Sequence, residues 1–269
     1  MDDRFSRTCM LMGEDALEKL ARSRIAVFGV GGVGGYVVEA LARSGAGHID
    51  IVDNDTVCLS NLNRQIIATE STIGKYKVEA ARERILDINP GIEVTVHKCF
   101  FLPDNRADID FADYDYIIDA VDTVTAKLAI ISEAKARGIP VISAMGCGNR
   151  LDPGKLTVAD IYETKGDPLS RIMRKELKKR GIESLKVVYS IEKPIKPERT
   201  DADIPDDKND VLQVISPGDG NDTGDPAEKL EKNKTSKRKR DIPGSAIFVP
   251  AAAGLIIASE VCRELAGIE

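Results

Sequence analysis

The segment Arg24-Ile-Ala-Val-Phe-Gly-Val30 is apolar almost throughout and runs without a gap into Gly31-Gly-Val-Gly34. A strand that is apolar without alternation is buried on both faces, which is the habit of parallel sheets covered by helices. Glycines at its end let the chain turn at once into a helix, read over 33–44. The same pattern recurs downstream. Apolar strand-like runs fall at 48–53, 93–99, 114–119 and 140–145, and helical stretches at 75–89 and 123–137 separate most of them. Strands alternating with helices of these lengths imply right-handed crossovers and an α/β fold with a doubly wound, mostly parallel sheet.

The flanks are less regular. Residues 1–23 read as a short arm and an amphipathic helix with Leu17 and Leu20 on one face. Beyond Gly146 the pattern gives strands at 156–162 and 186–190 and a helix at 167–180. From 193 to 241 the chain is Asp, Pro, Lys, Gly and Asn with almost no apolar periodicity, a long polar loop expected to be mobile. The apolar stretch 245–261 is interrupted by Pro250 and Glu260 and falls short of the roughly 20 residues a membrane span needs, so a buried core helix is expected. These signals divide the chain into an N-terminal arm and helix (1–23), a nucleotide-binding region (24–165) and a smaller C-terminal extension on the substrate side (166–269).

Composition excludes several classes. With 42% hydrophobic and 30% charged residues, the 269-residue chain is neither disordered throughout nor a membrane protein. Its five cysteines (Cys9, Cys58, Cys99, Cys147, Cys262) form no C-x-x-C pair and no secretory leader precedes them, which points to the cytoplasm and against a structural zinc site. His48 and His97 sit singly in strand-like runs and read as structural or surface residues. Cys147, just past the fifth strand, reads as a small packing residue.

Gly29, Gly31 and Gly34 form a G-x-G-x-x-G turn between a strand and a helix, with Gly32 inside it, where bare backbone amides and the helix dipole attract phosphate. Asp53 ends the next strand, 24 residues after Gly29, in the position that binds ribose hydroxyls in Rossmann-like folds. To this point NAD and ATP fit equally well.

The next segment separates them. Asp53-Asn-Asp55 leads into Leu59-Ser-Asn-Leu-Asn-Arg-Gln65, and Gly74-Lys-Tyr-Lys77 opens a helix. A dehydrogenase needs no group of phosphate-seeking residues beyond its glycine turn. An enzyme that adenylates a carboxylate does, because negative charge builds at the α-phosphate as pyrophosphate leaves, and preplaced cations stabilise it. Arg64 and Lys77 suit that task. Asp122, in Asp119-Ala-Val-Asp-Thr123, stands past the fourth strand at the ligand edge of the sheet and suits a magnesium ion held against phosphates. Taken singly, Arg64 and Lys77 are compatible with surface charges and Asp122 with a helix N-cap; their shared placement at strand ends favours the functional reading.

These motifs resemble the HesA/MoeB/ThiF family, the bacterial relatives of ubiquitin-activating enzymes. The resemblance runs over about residues 4–160. It implies that Gly32, Asp53, Asn61, Arg64, Gln65, Lys77 and Asp122 contact ATP and magnesium, with Asp55 and Ser60 in the same motifs. It also implies a homodimer in which Arg7 of Arg4-Phe-Ser-Arg7 reaches the partner subunit's ATP.

Many relatives that activate sulfur-carrier proteins carry paired C-x-x-C motifs or a cysteine in a crossover loop. This chain has neither. Its segments Gly13-Glu-Asp-Ala-Leu17, Ile88-Asn-Pro90, Asp152-Pro153, Asp167-Pro168 and Pro243-Gly-Ser-Ala-Ile-Phe-Val-Pro250 resemble the branch that dehydrates threonylcarbamoyladenosine in tRNA. By that resemblance ATP adenylates the threonyl carboxylate, and a nucleophile within the same nucleoside closes the ring and expels AMP. No protein thiol is needed, because the reacting groups are already tethered. ATP and magnesium are the implied cofactors, with a monovalent cation a further candidate, and tRNA carrying threonylcarbamoyladenosine is the implied substrate. A net charge of −6 gives no general attraction to tRNA, so the bases of 171–180 or Lys237-Arg-Lys-Arg240 would have to supply it locally. The alternatives are an adenylyltransferase acting on the C-terminus of a ubiquitin-like sulfur-carrier protein and, least favoured, a nicotinamide oxidoreductase; a sulfur-carrier or helper protein is a candidate partner.

Overall fold

The computed structural model describes residues 3–102, 109–198 and 243–268. Seven strands form one sheet: β1 (Arg24–Phe28), β2 (His48–Val52), β3 (Glu93–His97), β4 (Tyr116–Asp119), β5 (Val141–Ala144), β6 (Leu156–Asp160) and β7 (Lys186–Ser190). Their order is β3-β2-β1-β4-β5-β7-β6, and every neighbouring pair is parallel except β6 with β7. This is the expected α/β, Rossmann-like arrangement. The strand order reverses between β1 and β4, and such a switch point opens a crevice at the carboxyl ends of the strands.

The central strands have no polar face. Ile25, Ala26, Val27 and Phe28 of β1 are all fully buried, because α3 (Gly34–Ser44) and α4 (Lys77–Ile88) cover one side of the sheet while α5 (Val124–Ala136) and α6 (Pro168–Lys179) cover the other. One core joins Val27, Ile49, Ile51 and Ile118 to α3 and α4; the other joins Phe28, Phe101, Phe111 and Ile117 to α5 and α6.

The apolar C-terminal stretch forms α7 (Phe248–Ala266), which packs against α3 and buries Val249, Ala253, Ile257 and Val261. No described helix is long and apolar enough to cross a membrane. Of the C-terminal extension, the described residues are built onto the main sheet, since β7 inserts between β5 and β6 and α7 lies on α3.

At the N-terminus the arm is itself helical. α1 (Ser6–Met12) precedes α2 (Glu14–Arg22), and Gly13, at φ +88°, makes the joint between them. α1 buries none of its residues, so no apolar face announces it. α2 buries Ala16 and Leu20, with Leu17 half-buried. Residues 199–241 of the long polar loop, including Lys237 to Arg240, lie outside the described residues.

Candidate nucleotide-binding site

The glycine turn is built by close approach. Gly29 sits at φ +87°, and a Cβ there would lie 2.8 Å from the carbonyl oxygen of Ala120, just past β4. At Gly34 a Cβ would fall 1.8 Å from the carbonyl oxygen of Gly29. Both positions therefore exclude any side chain, and β1, α3 and the segment after β4 meet on bare backbone. The N-cap of α3 is Val33, which supplies no side-chain cap; the amides of Gly35 and Tyr36 turn back onto the carbonyls of Gly31 and Val33, so it is the N-terminal end of an 11-residue helix at Gly34 that faces the switch point.

Asp53 follows β2. Its Oδ2 accepts from the backbone N–H of Val30 at 2.7 Å and its Oδ1 from that of Asp55 at 2.8 Å. Burial pushes the carboxyl above its ordinary range; the nearby Lys77 and the two amides pull the other way. Lys77, the first residue of α4, is buried and donates from Nζ to Asp55 Oδ2 at 2.8 Å. Asn61, also buried, accepts on Oδ1 from the Cys58 amide at 3.1 Å and so fixes the short helical turn Leu59–Asn61.

Arg64 and Gln65 face the glycines. A Cβ on Gly32 would lie 3.6 Å from Arg64 Cγ, and one on Gly31 would lie 3.9 Å from Gln65 Nε2. Arg64 donates from Nη1 to the carbonyl oxygen of Ser60 at 2.8 Å and to Asn63 Oδ1 at 3.1 Å. Gln65 is buried, yet its Oε1 has no hydrogen-bond partner among the described residues. Leaving such an acceptor unmade costs about 1–3 kcal/mol, which a donor from a bound ligand would offset. The cradle of glycines and the flanking cations fit a nucleotide phosphate, while the orphaned amide oxygen suits a donor such as a hydroxyl or amino group of the nucleoside.

Asp122 is exposed at the carboxyl edge and accepts on Oδ1 from Thr123 Oγ1 at 3.3 Å. Thr123, not Asp122, is the N-cap of α5. Among the described residues no three His, Cys, Asp or Glu side chains are grouped to hold a metal. A lone carboxylate is nonetheless the donor set magnesium takes when substrate phosphates supply the rest. Arg7 is not brought to this chain's own turn. It lies exposed on α1, whose neighbour Phe5 abuts Gly45 beside the start of β2, at the opposite edge of the sheet.

Two features escape a sequence reading. Lys127 of α5 is fully buried and donates to Asp119 Oδ2 at 3.0 Å, Ser143 Oγ at 3.3 Å and the Ala144 carbonyl at 2.7 Å. Ser143 donates to the same Asp119 oxygen at 2.5 Å, while Asp119 Oδ1 accepts from the Val121 amide at 3.3 Å. The network sets the path of the segment carrying Asp122. Its one local signal is a lysine within the mostly apolar first half of the helix, residues 124–131. Second, Pro250 of α7 roofs the turn, 3.3 Å from where a Cβ on Gly32 would stand.

Cys147 donates weakly to the Met145 carbonyl, and enclosure of its thiol pushes the pKa up to about 11. Arg150 beside it forms a buried pair with Asp167, Nη2 to Oδ1 at 2.8 Å, and Asp167 also accepts from the Ser170 amide at the start of α6. His48 pairs with Glu93 and His97 with Asp50, as structural histidines do.

A glycine cradle at the switch point of a doubly wound sheet, backed by a strand-end carboxylate and two cations, defines a Rossmann-type nucleotide-binding α/β protein. Residues 5–268 match the ThiF family, and the chain belongs to it. The tRNA threonylcarbamoyladenosine dehydratase of Bacillus subtilis (strain 168) is 39% identical over 264 residues, spanning 97% of this chain and 94% of the relative. The protein of the same name from Escherichia coli (strain K12) is 43% identical over 175 residues, 65% of each chain. Among solved structures, E. coli tRNA N6-threonylcarbamoyladenosine dehydratase, TcdA, in complex with ATP superposes with a TM-score of 0.78 at 32% identity, covering 98% of this chain and 94% of that one.

Proposed function

We propose that this protein is an ATP-dependent tRNA threonylcarbamoyladenosine dehydratase. The observation that carries the reading is similarity to the B. subtilis dehydratase over 97% of the chain, which extends past the nucleotide motifs into the substrate-side half. The threonyl carboxylate attacks the α-phosphorus of ATP, giving the acyl-adenylate and pyrophosphate. A nucleophile of the same nucleoside then attacks the acyl carbon and AMP leaves, carrying the oxygen lost as water.

On this reading the amides of residues 31–34 hold phosphate, Asp53 takes the ribose hydroxyls, and Ser60, Asn61 and Gln65 frame the nucleotide. Arg64, and Lys77 released from or shared with Asp55, stabilise charge on the phosphates as pyrophosphate departs. Asp122 holds magnesium, which when bound offsets phosphate charge. The position of Arg7 on the far edge of its own sheet supports a homodimer in which it serves the partner subunit. Exposed Arg171, Lys175 and Lys178 run along one face of α6 and suit tRNA phosphates. The reading places the enzyme in the cytoplasm.

The carrier-protein adenylyltransferase is the alternative to be tested against. AMP formation from ATP is expected to require tRNA bearing threonylcarbamoyladenosine. AMP or pyrophosphate exchange elicited only by a small protein ending in Gly-Gly overturns the assignment.

A further inference from the structure

The side-chain amide of Asn63 is divided between two distant parts of the chain. Its Nδ2 donates to the carbonyl oxygen of Ser245 at 2.9 Å, and its Oδ1 accepts from Arg64 Nη1 at 3.1 Å. A carbonyl can only accept and a guanidinium can only donate, so one orientation of the amide serves both and a flipped one serves neither. Ser245 is itself held in place. Its neighbour Gly244 donates its N–H to Asn149 Oδ1 at 2.7 Å and accepts from the Asn149 N–H at 2.7 Å. Asn149 adopts a left-handed φ of 59°, and its own carbonyl accepts from the Ile195 N–H at 2.7 Å. One asparagine thus ties together the points where the chain departs after β7 and returns before α7.

The return segment then runs into α7, whose Pro250 roofs Gly32. Through Asn63 the position of this segment is passed to the guanidinium of Arg64, which also donates from Nη1 to the Ser60 carbonyl in its own loop. We propose that Asn63 is a positioning residue for adenylation, aiming Arg64 at the nucleotide phosphates by tethering it to the return segment 243–250. Asn63 is exposed and need not touch ATP or tRNA. The inference rests on the reading above, in which Arg64 acts on the phosphates.

The test is a double-mutant cycle on tRNA-dependent AMP formation with the full-length protein, with Tm measured alongside. If Asn63 acts through Arg64, Asn63→Ala lowers kcat by about tenfold in the wild-type background, changes the KM for ATP little, and has almost no effect in the Arg64→Ala background. Asn63→Asp keeps an acceptor for Arg64 but loses the donor to Ser245, so its kcat should fall with that of Asn63→Ala. Equal losses in both backgrounds, or losses that track a lowered Tm, overturn the positioning role. So does wild-type kcat in Asn63→Asp, which removes the tether from the account. An Arg64→Ala protein with full activity overturns the reading of Arg64 instead, and is recognised before the cycle is closed.

Discussion

The Asp53 carboxylate accepts the backbone N–H of Val30 at 2.7 Å, which joins the end of β2 to the first residue inside the glycine turn. The acid that is to meet the ribose thus also fixes the turn that is to meet the phosphates. Two jobs on one side chain make its charge state a property of the whole site.

That link has a pH signature. Burial raises the folded-state pKa of Asp53 above the ordinary 3.8. A carboxyl that holds its proton more tightly when folded contributes stability that is full below 3.8 and is lost as pH rises through the raised folded value. Asp53→Asn has no such titration. The difference in Tm, wild type minus Asp53→Asn, is therefore expected to be largest in acid and to shrink across that window before levelling off. A difference that grows with pH contradicts the assignment.

Asp122 should act on chemistry and not on folding, since it is exposed and is not the helix cap. Asp122→Asn keeps the shape and removes the charge. Tm is expected to stay put while tRNA-dependent AMP formation drops by about a hundredfold or more, equivalent to about 3 kcal/mol of transition-state stabilisation. Unchanged turnover, or turnover that falls only in step with Tm, would return Asp122 to an ordinary surface role.

Lys127 should behave in the opposite way. Lys127→Met leaves Asp119 buried beside Ser143 with its cation gone, and breaking such a pair costs about 3–5 kcal/mol. Chemical denaturation is the check. A loss under about 1 kcal/mol would show the Lys127–Asp119 pair to be dispensable.

The contrast between these residues shows what the sequence discloses. The turn, Asp53 and Lys77 are legible because short-range rules place them: an apolar strand, glycines, then a helix start. Lys127 is opaque because its three acceptors come from β4 and β5, and nothing in the stretch 124–131 reveals them. Asn63 is opaque for the same reason, since its partner Ser245 is 182 residues away. The insertion of β7 between β5 and β6 and the helicity of α1 were likewise hidden, the first being a matter of nonlocal pairing and the second of a helix with no buried face.

Cys147 is expected to be chemically quiet. With its thiol pushed up to about 11 by burial, it remains protonated at neutral pH and is a poor nucleophile. Cys147→Ala should retain near wild-type AMP formation, and iodoacetamide should label the native thiol slowly until the pH approaches that value. Fast labelling at neutral pH, or loss of turnover at unchanged Tm in the alanine variant, would assign it a role in the reaction.

The most direct measurement is mass analysis of nucleosides from tRNA bearing threonylcarbamoyladenosine, digested after incubation with the purified protein, ATP and magnesium. The account predicts conversion to a product lighter by one water, stoichiometric with AMP, and no conversion when ATP is omitted. A nucleoside of unchanged mass in the presence of active, ATP-binding protein would contradict it.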